Sequence, residues 1–504
     1  MITARSCRRL AALLLVAVAA VPLSAADPAG PDPAAVDAAV REALAAWQVP
    51  GAAVVVVRGD EAVVLRGYGT KVLGRDEPVT PDTLFPMASC SKSFITAAMA
   101  ALADDGRIGW DDPVRKHLPA FKLADPVADA NVTLRDLVTH RTGVGSHDLL
   151  WYHSPWGPEE IVRRVGRLPP RRPFRSGFEY QSAMFTAAGL AVTNAAGEPW
   201  PAFVRRRLTG PLGMTGVRFD SADAARAPDR PTGYRRDPLT GRTAATDWYA
   251  QPEPNAAGSV YCTARDLARW LSFHLGEGSF AGRRLVSAAN LRQTHTPQVA
   301  LPLEGEERRW HPETNLMSYA MGWVAQDYRG HLLVSHAGII DGFRTHLMLA
   351  PNDGWGVAVL SNLHATRMNL ALSNRLTDLV LGLPARDWNA RYLAVVREAD
   401  EAAREARRQR ELLRAPDTRP TLPPEAYAGT YEDEAYGRAR VRAEGGGLSW
   451  EWGGFRGKLA HYHYDSFELH NELLADPLVS FRVNEGKREV EALEAFGVTF
   501  RRVK

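Results

Sequence analysis

Apolar positions set the first element. Val36, Val40, Leu44 and Trp47 fall on one face at helical spacing, which predicts a helix over 34–47. Val49-Pro50-Gly51 ends it. Ala52 to Val57 and Ala62 to Tyr68 then read as two strands around Arg58-Gly59-Asp60-Glu61, a hairpin. Far along the chain, Leu332 to Ser335, Thr345 to Leu349 and Gly356 to Leu360 read as three further strands, with Pro351-Asn352-Asp353-Gly354 turning the last pair. Their short connections make an antiparallel meander, and the helical pattern from Asn369 to Leu381 covers one face. Between these ends lies a mostly helical region, with an apolar helix starting near Ser89 and a capping pattern at Thr133-Leu134-Arg135-Asp136.

Beyond that unit the pattern changes. Asp387 to Arg414 is rich in alanine and alternating charge and reads as a solvated connecting helix. Pro416 to Pro424 follows as a linker. Tyr427 to Val503 carries short alternating runs broken at Gly445-Gly446-Gly447, Gly453-Gly454 and Asn484-Glu485-Gly486, which predicts about eight short strands in a small barrel or sandwich. The fold class is therefore α/β (α+β): an antiparallel sheet flanked by helices, a helical subdomain, and a small all-β barrel. The expected boundaries are 1–26, 27–385, 386–424 and 425–504. The charged helix and the linker further predict that a chain ending near Ala385 folds alone.

Composition adds limits. At 504 residues the chain is too long for one core. Its hydrophobic share of 45% and charged share of 24% are those of a soluble globular protein. A net charge of +3, with acids and bases interleaved, asks for neither nucleic acid nor an anionic membrane as partner. Lysine is scarce, seven among 61 basic residues, so its placement is informative. At the N-terminus, Arg5, Arg8 and Arg9 precede the apolar Leu10 to Leu23 and the small Ser24-Ala25-Ala26, the pattern of a cleaved signal peptide over 1–26. An exported protein, periplasmic or extracellular, without a membrane span is expected. Cys90 and Cys262 remain after cleavage, read as two buried thiols in preference to a disulfide.

Chemistry first shows at Ser89-Cys90-Ser91-Lys92. A helix starting at Ser89 puts Lys92 one turn on, above the hydroxyl, with Phe94, Ile95, Ala98, Met99 and Leu102 burying the helix. A serine hydroxyl needs a base to become a nucleophile, and a lysine serves only when burial has lowered its pKa. The spacing alone is weak, since 21 serines and seven lysines generate it by chance roughly 0.3 times per chain.

The surroundings carry more. Thr80-Pro81-Asp82-Thr83-Leu84-Phe85-Pro86-Met87-Ala88 leads into Ser89. Val132 to Gly143 with Leu137-Val138-Thr139-His140, Asn255-Ala256-Ala257-Gly258 through Ala268, and Tyr319-Ala320-Met321-Gly322-Trp323 follow in order. Together these stretches resemble the serine β-lactamase and penicillin-binding-protein superfamily over roughly residues 34 to 385. They look most like class C β-lactamases, D-alanyl-D-alanine carboxypeptidases, D-aminopeptidases and β-lactamase-like esterases. The resemblance implies Ser89 as the acylated nucleophile and Lys92 as first base. The family's Tyr-x-Asn motif matches Tyr180-Gln181-Ser182, with Ser182 in place of the usual Asn. Tyr180 is then the residue that passes a proton to the leaving group, while Ser182 lacks an amide's paired donor and acceptor. The usual Lys-Thr-Gly is His336-Ala337-Gly338 here, followed by Phe343. His336 is expected to hydrogen-bond Tyr180, Gly338 to let substrate approach, and the amides of Ile339 and Ser89 to form an oxyanion hole. Arg344 is the nearby charge able to hold a substrate carboxylate if it points into the cleft.

Rival signals are poor. There is no Gly-x-Ser-x-Gly elbow, HExxH, Walker loop or dinucleotide fingerprint, and His140, His147 and His153 lack metal spacing. His461 and His463 read as surface residues. The stretch from Tyr427-Ala428-Gly429-Thr430-Tyr431 to Phe500-Arg501-Arg502, with His463-Tyr464-Asp465 and Phe467, resembles lipocalin-like barrels appended to such hydrolases. It reads as a lid, a substrate-size filter or an oligomer contact. The expectation is acyl transfer on an ester, amide or D-peptide bond of a small-molecule or peptide substrate, through an acyl-serine, with no cofactor and no metal. The alternatives are a β-lactam sensor or scaffold with little turnover, and a true β-lactamase.

Overall fold

The computed structural model describes residues 30–503 apart from 238–239, 475–476 and 485, so the expected signal peptide lies outside the described residues. The helices used below are α1 (Pro33–Trp47), α2 (Lys92–Asp104), α3 (Pro158–Val165), α4 (Ser182–Ala196), α5 (Ala264–Leu275), α6 (Met368–Val380) and α7 (Trp388–Leu412). The main-sheet strands are β1 (Gly51–Arg58), β2 (Glu61–Gly69), β3 (Val299–Ala300), β4 (Met317–Tyr319), β5 (Val324–Tyr328), β6 (His331–Ile340), β7 (Phe343–Ala350) and β8 (Trp355–Ser361). Their order is β2-β1-β8-β7-β6-β5-β4-β3, antiparallel throughout. Among the described residues no helix is long and apolar enough to cross a membrane.

Strand β1 explains how the layers hold. Its Ala52–Val57 run is apolar at every position because both faces are covered. Val55 and Val57 join one core with Phe94 of α2 and Leu267 and Trp270 of α5, where Phe94 and Trp270 stack at 4.0 Å. Val54 and Val56 join a second core with Val36 and Val40 of α1 and Leu372 and Leu376 of α6. Asp32 caps α1 by accepting from the Ala34 amide, and Gln48 ends it in the left-handed region. The N-terminal helix and hairpin are thus bound to the last strands of the sheet, as the pattern predicted. Strands β3 and β5 were not read from the sequence; the stretch 319–323, which resembles a strand of the family, spans the end of β4 and the turn into β5.

Eight strands close the C-terminal barrel: β9 (Gly429–Asp433), β10 (Gly437–Glu444), β11 (Gly447–Trp452), β12 (Phe455–His463), β13 (Ser466–His470), β14 (Leu478–Asn484), β15 (Glu489–Ala495) and β16 (Val498–Arg502). Strand β10 alternates strictly, Ala439 and Val441 inward and Arg438, Arg440 and Arg442 outward. The barrel's aromatic interior is continuous with the core around α2.

Helix α7 departs from the solvated reading over its first turns. Trp388, Tyr392 and Val395 are buried in the second core, Trp388 Nε1 donating to Asp378 at 2.7 Å and the Tyr392 hydroxyl to the Trp310 carbonyl at 2.7 Å. This packing argues against separation at Ala385. Deleting a buried aromatic costs on the order of 3–5 kcal/mol. A chain ending at Ala385 is therefore expected to precipitate or to melt well below one ending after Asp400, which thermal unfolding of the two will test.

Candidate active site

The site is built on one turn. Phe85 and Pro86 pair with Cys262 and Tyr261, and the Met87 amide donates to Val260 at 2.9 Å. Ala88 then takes φ 45°, a left-handed position rare for a residue with a side chain, and Ala88–Ser91 form one 3-10 turn before α2 begins at Lys92. Ser89 thus sits in the tight turn ahead of the helix, not at its first residue. In a 3-10 turn residues three apart eclipse, and Lys92 Nζ stands 3.0 Å from Ser89 Oγ.

Lys92 has no exposed surface. Its other partner is uncharged: Nζ donates to the Ala257 carbonyl at 3.0 Å. Asn255 holds that carbonyl's segment, its Oδ1 accepting from the Ala257 amide and from Thr186 of α4, both at 2.9 Å. The segment approaches α4 at Gly189, where a Cβ would lie 2.3 Å from that of Ala256. Burial, only partly opposed by the negative charge of Asp148, pulls the Lys92 ammonium from the usual lysine range down to about 7.

Tyr180 completes the contact, its hydroxyl 3.1 Å from Ser89 Oγ. Burial pushes this phenol up, and the hydroxyls of Ser89 and Ser182 only partly oppose it, so Tyr180 keeps its proton. Ser182 opens α4 as a buried residue beside it. The Cys90 thiol, next to the serine, is free, buried and pushed up to about 12; Cys262 is also free and buried.

Strand β6 forms the facing wall. Its neighbour β5 pairs only with residues 331 to 335, so residues 336 to 340 keep one edge free. Asp341 and Gly342 make a two-residue turn closing the Ile340/Phe343 pair. Antiparallel pairs alternate in hydrogen bonding, which directs the Ile339 amide to the free edge. Gly338 packs so tightly on the Ser89 turn that a Cβ would lie 2.2 Å from the Met87 carbonyl. Thr345 ties β7 to the same turn through the Pro86 carbonyl at 3.1 Å. The backbones carrying the amides of Ser89 and Ile339 therefore lie side by side.

Two expectations are corrected. His336 does not bond Tyr180: its Nδ1 is 2.7 Å from the Ala337 carbonyl and its Nε2 3.2 Å from the Tyr319 hydroxyl. A ring nitrogen on a carbonyl carries the proton, so Nε2 accepts from Tyr319. Burial, helped by Lys92, draws His336 down to about 3 and keeps it neutral. Arg344 does not face Ser89. It pairs with Ile339 and lies on the face of β7 shared by His346, whose Nδ1 is 2.8 Å from Ser373 Oγ of α6. Burial and neighbouring Arg367 draw its guanidinium down to about 10. Ala337 and Ile339 project from that same face and are exposed, Ile339 at 41%.

Two residues that carried no role in the sequence reading also belong here. His140, at φ 56°, accepts from the Gln181 amide at 3.0 Å and sits among Tyr180, Tyr319, Phe185 and Phe178, 4.2 to 5.7 Å between ring centres. Among the described residues its buried Nε2 meets no hydrogen-bond partner. Tyr319 links His336 to this cluster. Both lay inside quoted stretches, but only tertiary packing brings them to Tyr180.

Comparison with known proteins gives the family and the fold. A family model described as Beta-lactamase matches residues 36–381, and one described as a domain of unknown function, DUF3471, matches 413–501. The Unguisins hydrolase ungD' of Aspergillus campestris (strain IBT 28561) is 30% identical over 418 residues, covering 79% of this chain and 75% of that protein. The octameric penicillin-binding protein homologue from Pyrococcus abyssi superposes with a TM-score of 0.60 at 19% identity, over 94% of this chain and 100% of its own. The D-amino acid amidase from Ochrobactrum anthropi SV3 gives a TM-score of 0.56 at 23% identity, over 69% and 97%. At those identities the two structures speak for the fold.

Proposed function

The chain belongs to the Beta-lactamase family, and from that premise we propose that it is an exported serine hydrolase that cleaves ester or amide bonds, D-amino-acid peptides included, through an acyl-serine on Ser89. The observation that carries this reading is the convergence on Ser89 Oγ of a buried lysine at 3.0 Å and a protonated phenol at 3.1 Å. Neutral Lys92 accepts the hydroxyl proton as Oγ attacks the carbonyl carbon. The amides of Ser89 and Ile339 hold the oxyanion. Tyr180 gives its proton to the departing oxygen or nitrogen as the acyl bond breaks, and the proton that Lys92 took from Ser89 then restores the phenol. Water then enters by the reverse sequence and releases the acid. The likeness to a relative named as a hydrolase of unguisins supports hydrolysis as the reaction. The leader pattern at 1–26 supports export.

Treating the purified protein with a fluorophosphonate should add one adduct, seen by intact mass, and Ser89→Ala should add none. An adduct on that variant would remove Ser89 from the mechanism.

A further inference from the structure

The barrel meets the catalytic layer at residues 147 to 156. The His147 ring nitrogen lies 2.7 Å from the Tyr436 hydroxyl, and the Gly454 amide donates to the His153 carbonyl at 2.6 Å. Phe455 sets its ring 5.7 Å from that of His153 and 6.0 Å from that of Tyr152. Arg164 of α3 donates to the Ala435 carbonyl at 2.8 Å beside this contact. The fit leaves no slack: a Cβ on Gly454 would lie 2.5 Å from the His153 carbonyl. His147 and His153 both take left-handed φ, at 46° and 49°, conformations that surrounding contacts must hold.

The other side of this loop grips one carboxylate. Asp341, 2% exposed, accepts from the Tyr152 hydroxyl, from His153 Nε2 at 2.8 Å and from Arg235 at 3.0 Å. Tyr249 backs the clamp, stacked on Tyr152 at 5.4 Å and donating to the Trp151 carbonyl at 2.9 Å. Asp341 is half of the two-residue turn between β6 and β7, and Ile339 stands two residues before it on the free edge. The turn has little freedom elsewhere, since a Cβ on Gly342 would lie 2.5 Å from the Gly233 Cα.

We infer that the barrel is a working part of the active site: through loop 147–156 it holds Asp341, and so sets where the Ile339 amide stands against the oxyanion. Tyr152, His153 and Asp341 are then positioning residues, and the barrel tip at Gly454 and Phe455 is their support. This rests on the reading of Ser89 and Ile339 given above. An oxyanion donor is worth about a hundredfold or more in rate when removed, so displacing it by a fraction of an ångström should cost about tenfold.

The test uses the full chain and Gly454→Ala, a change on the barrel that touches none of the reacting groups. For a short-chain p-nitrophenyl ester, kcat should fall about tenfold with KM little changed. The Ki of phenylboronic acid, which places an oxygen where the oxyanion forms, should rise in step, while the midpoint of the pH–rate curve stays where Lys92 sets it. Tyr152→Phe should show the same loss, and the double variant should lose no more than the worse single one, because both act through Asp341. Unchanged kcat and boronate affinity in folded Gly454→Ala, or losses that multiply in the double variant, would overturn the inference. If Gly454→Ala is insoluble, Tyr436→Phe, which removes only the hydroxyl on His147, replaces it in the cycle with the same two outcomes. Failure of the Ser89 reading shows separately, as a fluorophosphonate adduct on Ser89→Ala.

Discussion

Replacing Lys92 with methionine should lower kcat for ester hydrolysis by about a hundredfold or more and at the same time make the protein more stable. The two effects share one cause. Burial brings the Lys92 ammonium down to about 7 from 10.5. Near neutral pH about half the molecules then carry the free amine that acylation needs. The rate should rise with pH through about 7 and level above it. The stability effect has a definite sign. Between pH 7 and 10.5 the folded chain holds fewer protons on this residue than the unfolded chain, so its contribution to stability rises with pH across that window. The cost is whole below about 7 and gone above about 10.5; a displacement of that size amounts to on the order of 5 kcal/mol. Methionine fills similar space without the charge but leaves the Ala257 carbonyl without its donor, which returns roughly 1–3 kcal/mol. Lys92→Met should therefore melt above wild type at pH 6, with the gap narrowing at pH 9. Tyr180→Phe, which keeps the ring and loses only the proton donor, should match the loss in kcat without the gain in stability. Near-wild-type turnover by either folded variant would remove that residue from the mechanism.

How much of this was legible depends on whether the signal was local. The Ala52–Val57 run, the hairpin after it and the last two strands before Asn369 are written in apolar runs and in turn residues, and they appear where they were read. Strand β6 was cut short at Ser335 because His336-Ala337-Gly338 mimics a strand end: one polar ring, one methyl and one missing side chain. Its continuation is fixed by packing on the Met87 turn, which no window of sequence displays. The left-handed Ala88 is invisible for the same reason. The partner of His336 was misassigned because two tyrosines, Tyr180 and Tyr319, lie in matching stretches, and only the fold decides which reaches the ring. Arg344 was more readable than it was read. With Phe343 facing the Ser89 side of the sheet, a period of two sends the next residue to the other face.

The enzyme should prefer neutral esters, or peptides with D-residues, over β-lactams, and the charges around Ser89 are the reason. A β-lactam carries a carboxylate that enzymes with Lys-Thr-Gly hold with a cation and a hydroxyl. Here Ala337 has no hydroxyl and projects from the face away from Ser89, and burial keeps His336 neutral at every working pH. Lys92 must itself be uncharged to act as base, and among the described residues no other cation bonds Ser89. Arg344 projects from the opposite face of β7 with His346. A carboxylate entering this cleft gives up its hydration and recovers no charge-assisted bond, the strong kind. Losing one such bond costs roughly 1.5–3 kcal/mol, or about ten- to a hundredfold in affinity. A neutral ester forfeits nothing comparable. The comparison is kcat/KM for nitrocefin against kcat/KM for a short-chain p-nitrophenyl ester, measured on one preparation in one buffer. The ester should lead by at least about tenfold. A lead for nitrocefin would overturn the argument. Loss of that nitrocefin activity in Arg344→Ala would then show that the guanidinium reaches around the free edge of β6 to the substrate after all.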